Sequence, residues 1–253
     1  MGMCDWKLPS AELALHEGDV HVWKAALDIS WEHVSNLATL LSEDEMDRAH
    51  RFHFARDRRR FIVARGILRQ ILGSYTGLPP QSLRLQYGEY GKPALTADCG
   101  GTWLQFNLAH AHERVFYGLT RGMKIGIDLE RVRAHFASLQ IAERFFAPAE
   151  VATLKTITGK ARVDAFFNCW TRKEAYIKAQ GTGFSLPLDQ FEVSLHPDEP
   201  AALLKAVGDQ ENTQWTLAAI ETEPGYVAAL AVDGPLTTWR CWRWSTQFQA
   251  IVR

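Results

Sequence analysis

The chain reads as an α+β protein of two pseudo-twofold lobes, each an antiparallel sheet packed with helices. Two stretches share one layout: a capping signal, a long helical run, a Gly-rich turn and a Leu-Pro step. Each of them is followed by a pair of strand-like runs. A polar joint, Thr120-Arg121-Gly122-Met123-Lys124, falls between them and divides the chain into an N-terminal lobe, 1–122, and a C-terminal lobe, 123–253.

In the first stretch, Ser-Glu-Asp-Glu at 42–45 is a capping signature that opens a helix, and a second helix runs through RRRFIVARGILRQIL. A glycine turn then leads to LPPQSLRL. The runs GTWLQFNLAH and VFYGLT follow and read as strands. In the second stretch, Ala-Pro-Ala-Glu at 147–150 opens a helix and VDAFFNCWTRKEAYIKA forms a longer one. The turn GTGFS leads to LPLDQFEVSL, and the strands WTLAAI and YVAALAV complete the unit. The tail, TTWRCWRWSTQF, alternates Trp and Arg and reads as an amphipathic edge strand covering the second lobe. The cleft between two such lobes is the natural ligand site.

With 253 residues, 47% hydrophobic and 23% charged, the chain has the composition of an ordinary globular protein. Its formal net charge of -1 confines any role with a polyanion to a local basic patch. Four cysteines, Cys4, Cys99, Cys169 and Cys241, are scattered without a CxxC pair, which points to reduced thiols rather than a disulfide framework or zinc site. The opening MGMCDWK lacks an apolar h-region, and Trp6 stands where a myristoylation signal requires Ser or Thr. These features predict a soluble, cytoplasmic protein.

The chemistry concentrates in five places. In Gly-Ile-Asp-Leu-Glu at 126–130, Asp128 and Glu130 are two apart on a predicted strand and share a face, while Ile125, Ile127 and Leu129 point to the other. Like charges so placed repel unless a cation lies between them. In CWTRKEAYIKAQG, Glu174 and Lys178 are four apart on one helix face, with Thr171 on the same stripe and Phe166, Trp170 and Ile177 opposite. Standing alone, that pair is an exposed i,i+4 contact; beside the acidic strand it completes three carboxylates and an ammonium, a set suited to magnesium and a phosphate.

Eight arginines between Arg48 and Arg69 form a basic stretch able to hold a phosphate monoester through guanidinium forks. EYGKPAL at 89–95 puts Lys92 in a tight turn where backbone and ammonium can approach an anion. FNLAH at 106–110 ends a strand on His110, flanked by the small Ala109 and Ala111, with His112 a further candidate. A nucleophile elbow, HExxH, a Walker loop and a strand-following GxGxxG are all missing, which removes the commonest hydrolase, zinc-protease, NTPase and dinucleotide readings.

EYGKPAL, FNLAH, GIDLE and CWTRKEAYIKAQGTG occur in the order and at the spacings of the Sfp-type 4'-phosphopantetheinyl transferases, and over about residues 40–232 the chain resembles that family. The resemblance implies a two-lobed monomer that transfers the phosphopantetheine arm of coenzyme A to a serine of an apo acyl or peptidyl carrier protein and releases 3',5'-ADP. It also implies that Asp128, Glu130 and Glu174 hold magnesium, with manganese able to substitute, and that Glu174 is the general base. Lys178 and His110 then face the phosphates, Lys92 lies near them, and Arg48 and Arg60 take the 3'-phosphate. Ala109 and Ala111 stand where many bacterial relatives have serines, and Glu45 where some have a lysine, so those contacts to coenzyme A are absent or replaced.

Because carrier proteins are acidic, Arg131, Arg133 and Phe136 in RVRAHF offer a docking patch beside the acidic strand. Two rivals remain: a magnesium-dependent nuclease, and a non-catalytic coenzyme A or carrier-binding module. The near-neutral charge and the helical four-residue spacing of Glu174 and Lys178 disfavour the first, and the intact acidic set disfavours the second. Nucleic-acid and membrane partners are not expected.

Overall fold

The computed structural model describes residues 4–9, 13–206 and 214–250; Met1, Gly2 and Met3 of the opening heptapeptide lie outside them. The first lobe contains β1 (Asp19–Ala26), α1 (Trp31–Ala38), α2 (Glu43–His50), α3 (Ala55–Thr76), the hairpin β2 (Leu85–Tyr87) and β3 (Pro93–Leu95), and the strands β4 (Leu104–Ala111) and β5 (Arg114–Arg121). The second begins with β6 (Ile125–Arg131) and continues through α4 (Leu139–Phe145), α5 (Pro148–Thr156) and α6 (Gly159–Gln180). Two short strands follow, β7 (Glu192–Val193) and β8 (Leu203–Lys205), then β9 (Thr216–Ile220) and β10 (Tyr226–Val232); the last strand in the chain, β11 (Thr238–Arg243), returns to the first lobe. Among the described residues no helix is long and apolar enough to cross a membrane.

The pseudo-twofold reaches down to single side chains. α2 and α5 both carry a glutamate in the first turn that accepts from the backbone N–H three residues earlier, Glu45 from Ser42 at 3.1 Å and Glu150 from Ala147 at 2.8 Å. Each glutamate is buried and neutralised from the long helix that follows. Arg69 of α3 donates Nε to Glu45 at 2.6 Å, and Lys173 of α6 lies 2.8 Å from Glu150. The two cations then reach the same place in their own lobe: Arg69 donates to the carbonyls of Pro80 and Leu83, Lys173 to those of Leu188 and Phe191. Both long helices have 22 residues and both end at a glycine in the left-handed region, Gly77 at φ 72° and Gly181 at φ 73°, where a side chain would be strained.

A four-stranded sheet runs in the order β11-β1-β5-β4 and a three-stranded sheet in the order β6-β10-β9. Pairing is antiparallel except for β11, which lies parallel to β1. Three apolar clusters follow from strand alternation. Trp23, Val115 and Tyr117 of the first sheet pack on Ile67, Leu68 and Ile71 of α3. Ala229 and Ala231 of the second sheet pack on Ala175, Ile177 and Ala179 of α6. Between the sheets, Val20, Val22 and Phe116 meet Ile125, Ile127, Leu129 and Leu230.

Three expectations are corrected. The Trp-rich tail does not cover the second lobe: β11 is the outer strand of the first sheet, and Trp242 and Trp244 are buried in the first lobe's core. Its alternation had the right period, but sheet membership depends on which edge is free, and β1 offered one. Cys4 and Cys241 are not reduced thiols; they form a disulfide, with Cα atoms 5.6 Å apart. The N-terminal segment bridges onto β11 at Lys7 and Trp242, which brings together residues at opposite ends of the chain. The candidate docking patch also fails as a unit. Phe136 is turned inward against Phe166, Phe167 and Trp170, Arg133 lies over its ring, and Arg131 contacts His112.

Candidate active site

β6 runs along α6, and Gly126 sets how closely. A Cβ added there would lie 2.0 Å from the carbonyl oxygen of Ala175 and 2.3 Å from the nitrogen of Ala179, so strand and helix backbones touch at this residue. Alternation then does what the sequence implied. Ile125, Ile127 and Leu129 enter the inter-sheet core, and Asp128 and Glu130 face the other way, Asp128 buried and Glu130 half-buried.

Opposite them, α6 presents Lys178, whose Nζ lies 2.5 Å from Asp128 Oδ1. Burial opposes charge on Lys178, but the carboxylates of Asp128, then Glu174 and Glu130, outweigh it and hold the ammonium above the ordinary lysine range. Glu130 is pushed up to about 7, by burial first and then by the charge of Asp128. Glu174 is raised for the same two reasons, with Lys178 opposing. His110 lies on the same field. Desolvation by the surrounding protein, then the positive charges of Lys178 and Arg60, lower its imidazole from the usual value, although solvent still reaches the ring. Asp128, Glu130, Glu174 and Lys178 thus feel one another electrostatically, and His110 feels Lys178 and Arg60.

Glu174 and Lys178 open onto a cleft of about 660 Å³ between the lobes. Trp170, Ile177, Phe145 and Leu186 give it an apolar wall, Arg144 lies at its edge, and Tyr90, Lys92, Asn107 and Leu108 close it from the first lobe. One assignment on α6 is reversed: Thr171 is fully buried and donates back to Phe167 O, while Trp170 and Ile177 share the cleft wall with Glu174. A 22-residue helix packed on two sides buries more than one stripe, so the helical wheel alone misplaced them.

Not every predicted residue joins this group. Arg48 is exposed at the end of α2, its guanidinium 5.5 Å from the ring centre of Phe61 and 6.0 Å from that of Tyr87. Arg65, unremarked in the sequence, lies over the same two rings at 5.6 and 5.9 Å. Arg60 is 3.8 Å from Glu113. Glu45 pairs with Arg69 and, at 3.5 Å, with Arg65, so it offsets charge on one of the two arginines over those rings. Ala109 is small because it packs in the inter-sheet core, on the face of β4 opposite His110, and not to admit a ligand. Lys92 donates Nζ to the backbone carbonyls of Ile125 at 2.9 Å and Ala179 at 3.1 Å. Asn107, in the same FN-x-x-H motif as His110, accepts the N–H of Ile127 at 2.9 Å. Its signal was an amide in an otherwise apolar strand, legible only once the strand's neighbour was known.

Among the described residues no three histidines, cysteines or acidic side chains converge closely enough to hold a metal as they stand. The donor set nevertheless suits a hard cation in kind. Its members are carboxylate oxygens, they raise one another's proton affinity, and Asp128 Oδ2 is buried without a hydrogen-bond partner among the described residues while Oδ1 is taken by Lys178.

Comparison with known proteins agrees across both lobes. Residues 124–231 match the 4'-phosphopantetheinyl transferase superfamily, and residues 23–118 match the family described as 4'-phosphopantetheinyl transferase, N-terminal. The 4'-phosphopantetheinyl transferase HetI of Nostoc sp. is 38% identical over 229 residues, spanning 90% of this chain and 94% of HetI. The 4'-phosphopantetheinyl transferase Sfp of Bacillus subtilis is 29% identical over 82% of this chain and 88% of its own. Among solved structures, a holo-(acyl-carrier-protein) synthase of Bacillus anthracis in complex with coenzyme A (3',5'-ADP) superposes with a TM-score of 0.34 and 23% identity, covering 43% of this chain and 93% of that one.

Proposed function

The chain belongs to the 4'-phosphopantetheinyl transferase superfamily, and from that premise we propose that it transfers the 4'-phosphopantetheine arm of coenzyme A to a serine hydroxyl of an apo acyl or peptidyl carrier protein. The observation that carries this reading to the chemistry is the ion pair of Lys178 with Asp128 at 2.5 Å, which joins the acidic strand to the helix whose Glu174 and Lys178 line the inter-lobe cleft.

In this reaction the serine oxygen bonds to the phosphorus that bears the pantetheine arm. The bridging oxygen leaves with 3',5'-ADP, and the serine proton must be accepted. Glu174 is the base. Burial and Asp128 raise its carboxyl above the ordinary range, which brings its proton affinity nearer that needed at neutral pH, and it faces the cleft where the serine enters. Lys178 offsets charge on the phosphoryl group in transfer, and His110 and Arg60 lie in reach of the same field. Arg48, with Arg65 over the same rings, suits the 3'-phosphate. Asp128, Glu130 and Glu174 would hold magnesium, which when bound neutralises the pyrophosphate and stabilises the leaving group.

The apolar cleft wall beside Glu174 suits the carrier's serine-bearing surface. One chain supplies both walls, so the monomer is the working unit, and the substrates imply a cytoplasmic setting. The test is mass spectrometry of apo-carriers incubated with coenzyme A, magnesium and the protein: the reading requires a mass gain of one phosphopantetheine arm, and fails if acyl, aryl and peptidyl carriers all stay unmodified. Asp128→Ala should lower turnover by about 10² or more, since it removes a ligand; because it also strips Lys178 of its ion-pair partner, circular dichroism of the variant checks that the fold is kept. Near wild-type turnover at saturating coenzyme A would remove Asp128 from the site.

A further inference from the structure

β6 is an edge strand. Among the described residues it pairs with β10 on one side only, and its other edge faces β4, which is itself the edge of the first sheet. In an extended antiparallel strand the N–H and C=O of one residue point to the same side. Ile125 and Ile127 therefore turn their backbone polar groups toward the first lobe, in a buried setting where unpaired groups are costly. β4 does not form a ladder with them. Side chains of the first lobe do so instead: Asn107 Oδ1 accepts from Ile127 N, and Lys92 Nζ donates to Ile125 O.

Lys92 makes a second bond of the same kind. Ala179 O belongs to the last turn of α6, where carbonyls lack helical partners, and the Lys92 ammonium caps it. One side chain thus ties the hairpin turn of the first lobe both to the start of the acidic strand and to the end of the helix carrying Glu174 and Lys178. The turn is seated there by packing as well. Tyr90 lies against Gly183, so closely that a Cβ on Gly183 would come within 2.8 Å of it, and the Lys92 stem passes Gly181. Burial also lowers Lys92 to about 8, as befits an ammonium held by neutral carbonyls.

We propose that Lys92 and Asn107 are positioning residues. From the first lobe they replace the missing strand ladder along β6, and they hold Asp128 and Glu130 in register with Glu174 and Lys178. The proposal rests on the transferase reading for its consequence in turnover, and it takes Lys92 away from the coenzyme phosphates. A phosphate ligand acts on coenzyme binding. A positioning residue acts on the reacting geometry, where misplacement by an ångström is expensive.

Three full-length variants test it: Lys92→Met, Asn107→Leu and Asn107→Asp, the last keeping an acceptor oxygen. In Lys92→Met and Asn107→Leu, kcat should fall about tenfold or more while KM for coenzyme A stays within about threefold of wild type. Amide hydrogen exchange at Ile127 should quicken about tenfold or more in Asn107→Leu, with the amides of β10 unchanged, and return toward wild type in Asn107→Asp. A rise in KM for coenzyme A with kcat preserved in Lys92→Met would make Lys92 a phosphate ligand and overturn the proposal. So would unchanged exchange at Ile127 in Asn107→Leu. If Lys92→Met does not fold, Lys92→Gln, which keeps an uncharged donor, carries the same comparison. The exchange measurement needs no activity: a wild-type protein that modifies no carrier strikes the transferase reading, while Ile127 still decides the latch.

Discussion

His21 has no exposed surface, and its Nδ1 lies 2.6 Å from the hydroxyl of Tyr75 while Nε2 finds no partner among the described residues. Burial, then the charge of Arg240, lowers it to about 4. Since the unfolded chain takes up a proton near pH 6.5 and the folded one does not until about pH 4, the stability due to neutral His21 is complete above pH 6.5. It drains away as pH falls between those values, by about 3 kcal/mol in all. Denaturant titrations at pH 7 and pH 4.5 should show that loss, and His21→Gln should flatten it; an equal loss in the variant would place the acid sensitivity elsewhere. At the same scale, Asp128 and Glu130 were recognisable from spacing because strand alternation is a local rule. The partners of Lys92 were not legible there, because the carbonyls it caps belong to residues 33 and 87 positions away.

Elements are placed by a few close approaches and buried pairs. Gly126→Ala would drive a methyl into the backbone of α6, so strand and helix must part. We expect a cost of about 3 kcal/mol or more and turnover reduced at least as far as by loss of Asp128, read by thermal melting and carrier modification; a variant with wild-type melting would refute the contact. Lys173→Met strands Glu150 in the core and should cost about 3–5 kcal/mol, and adding Glu150→Gln should recover part of it. If the double change is no better than the single, the ion pair is not what orders α5 on α6. The capping glutamates announced α2 and α5 in the sequence. Their partners Arg69 and Lys173 carried no such local signal, and their contacts with the Leu-Pro segments make them core cations.

Across the whole molecule the two lobes share a scaffold but not a site. Gln70 follows Arg69 as Glu174 follows Lys173. In the first lobe that position is spent on a hydrogen bond from Trp244, near Trp23, Trp242 and Phe248. The tail that plugs the first lobe is the segment carrying β11, so removing residues 238–253 should uncover both the edge of β1 and the core beneath it. The truncated chain should be recovered mostly aggregated, and a soluble, cooperatively melting product would show that β11 is dispensable.

Periodicity, capping signals and glycine turns act over a few residues. The sequence alone therefore determined the two-lobe α+β plan, the helices α2, α3, α5 and α6 but not the short α1 and α4, the acidic strand with its faces, and the motif order that marks the family. Tertiary structure decided which sheet the last strand joins, that Cys4 meets Cys241, that Phe136 points inward, and that Lys92 and Asn107 hold a strand edge. Each of these depends on what lies opposite a side chain from a distant part of the chain, and such pairing leaves no period in the sequence to be read.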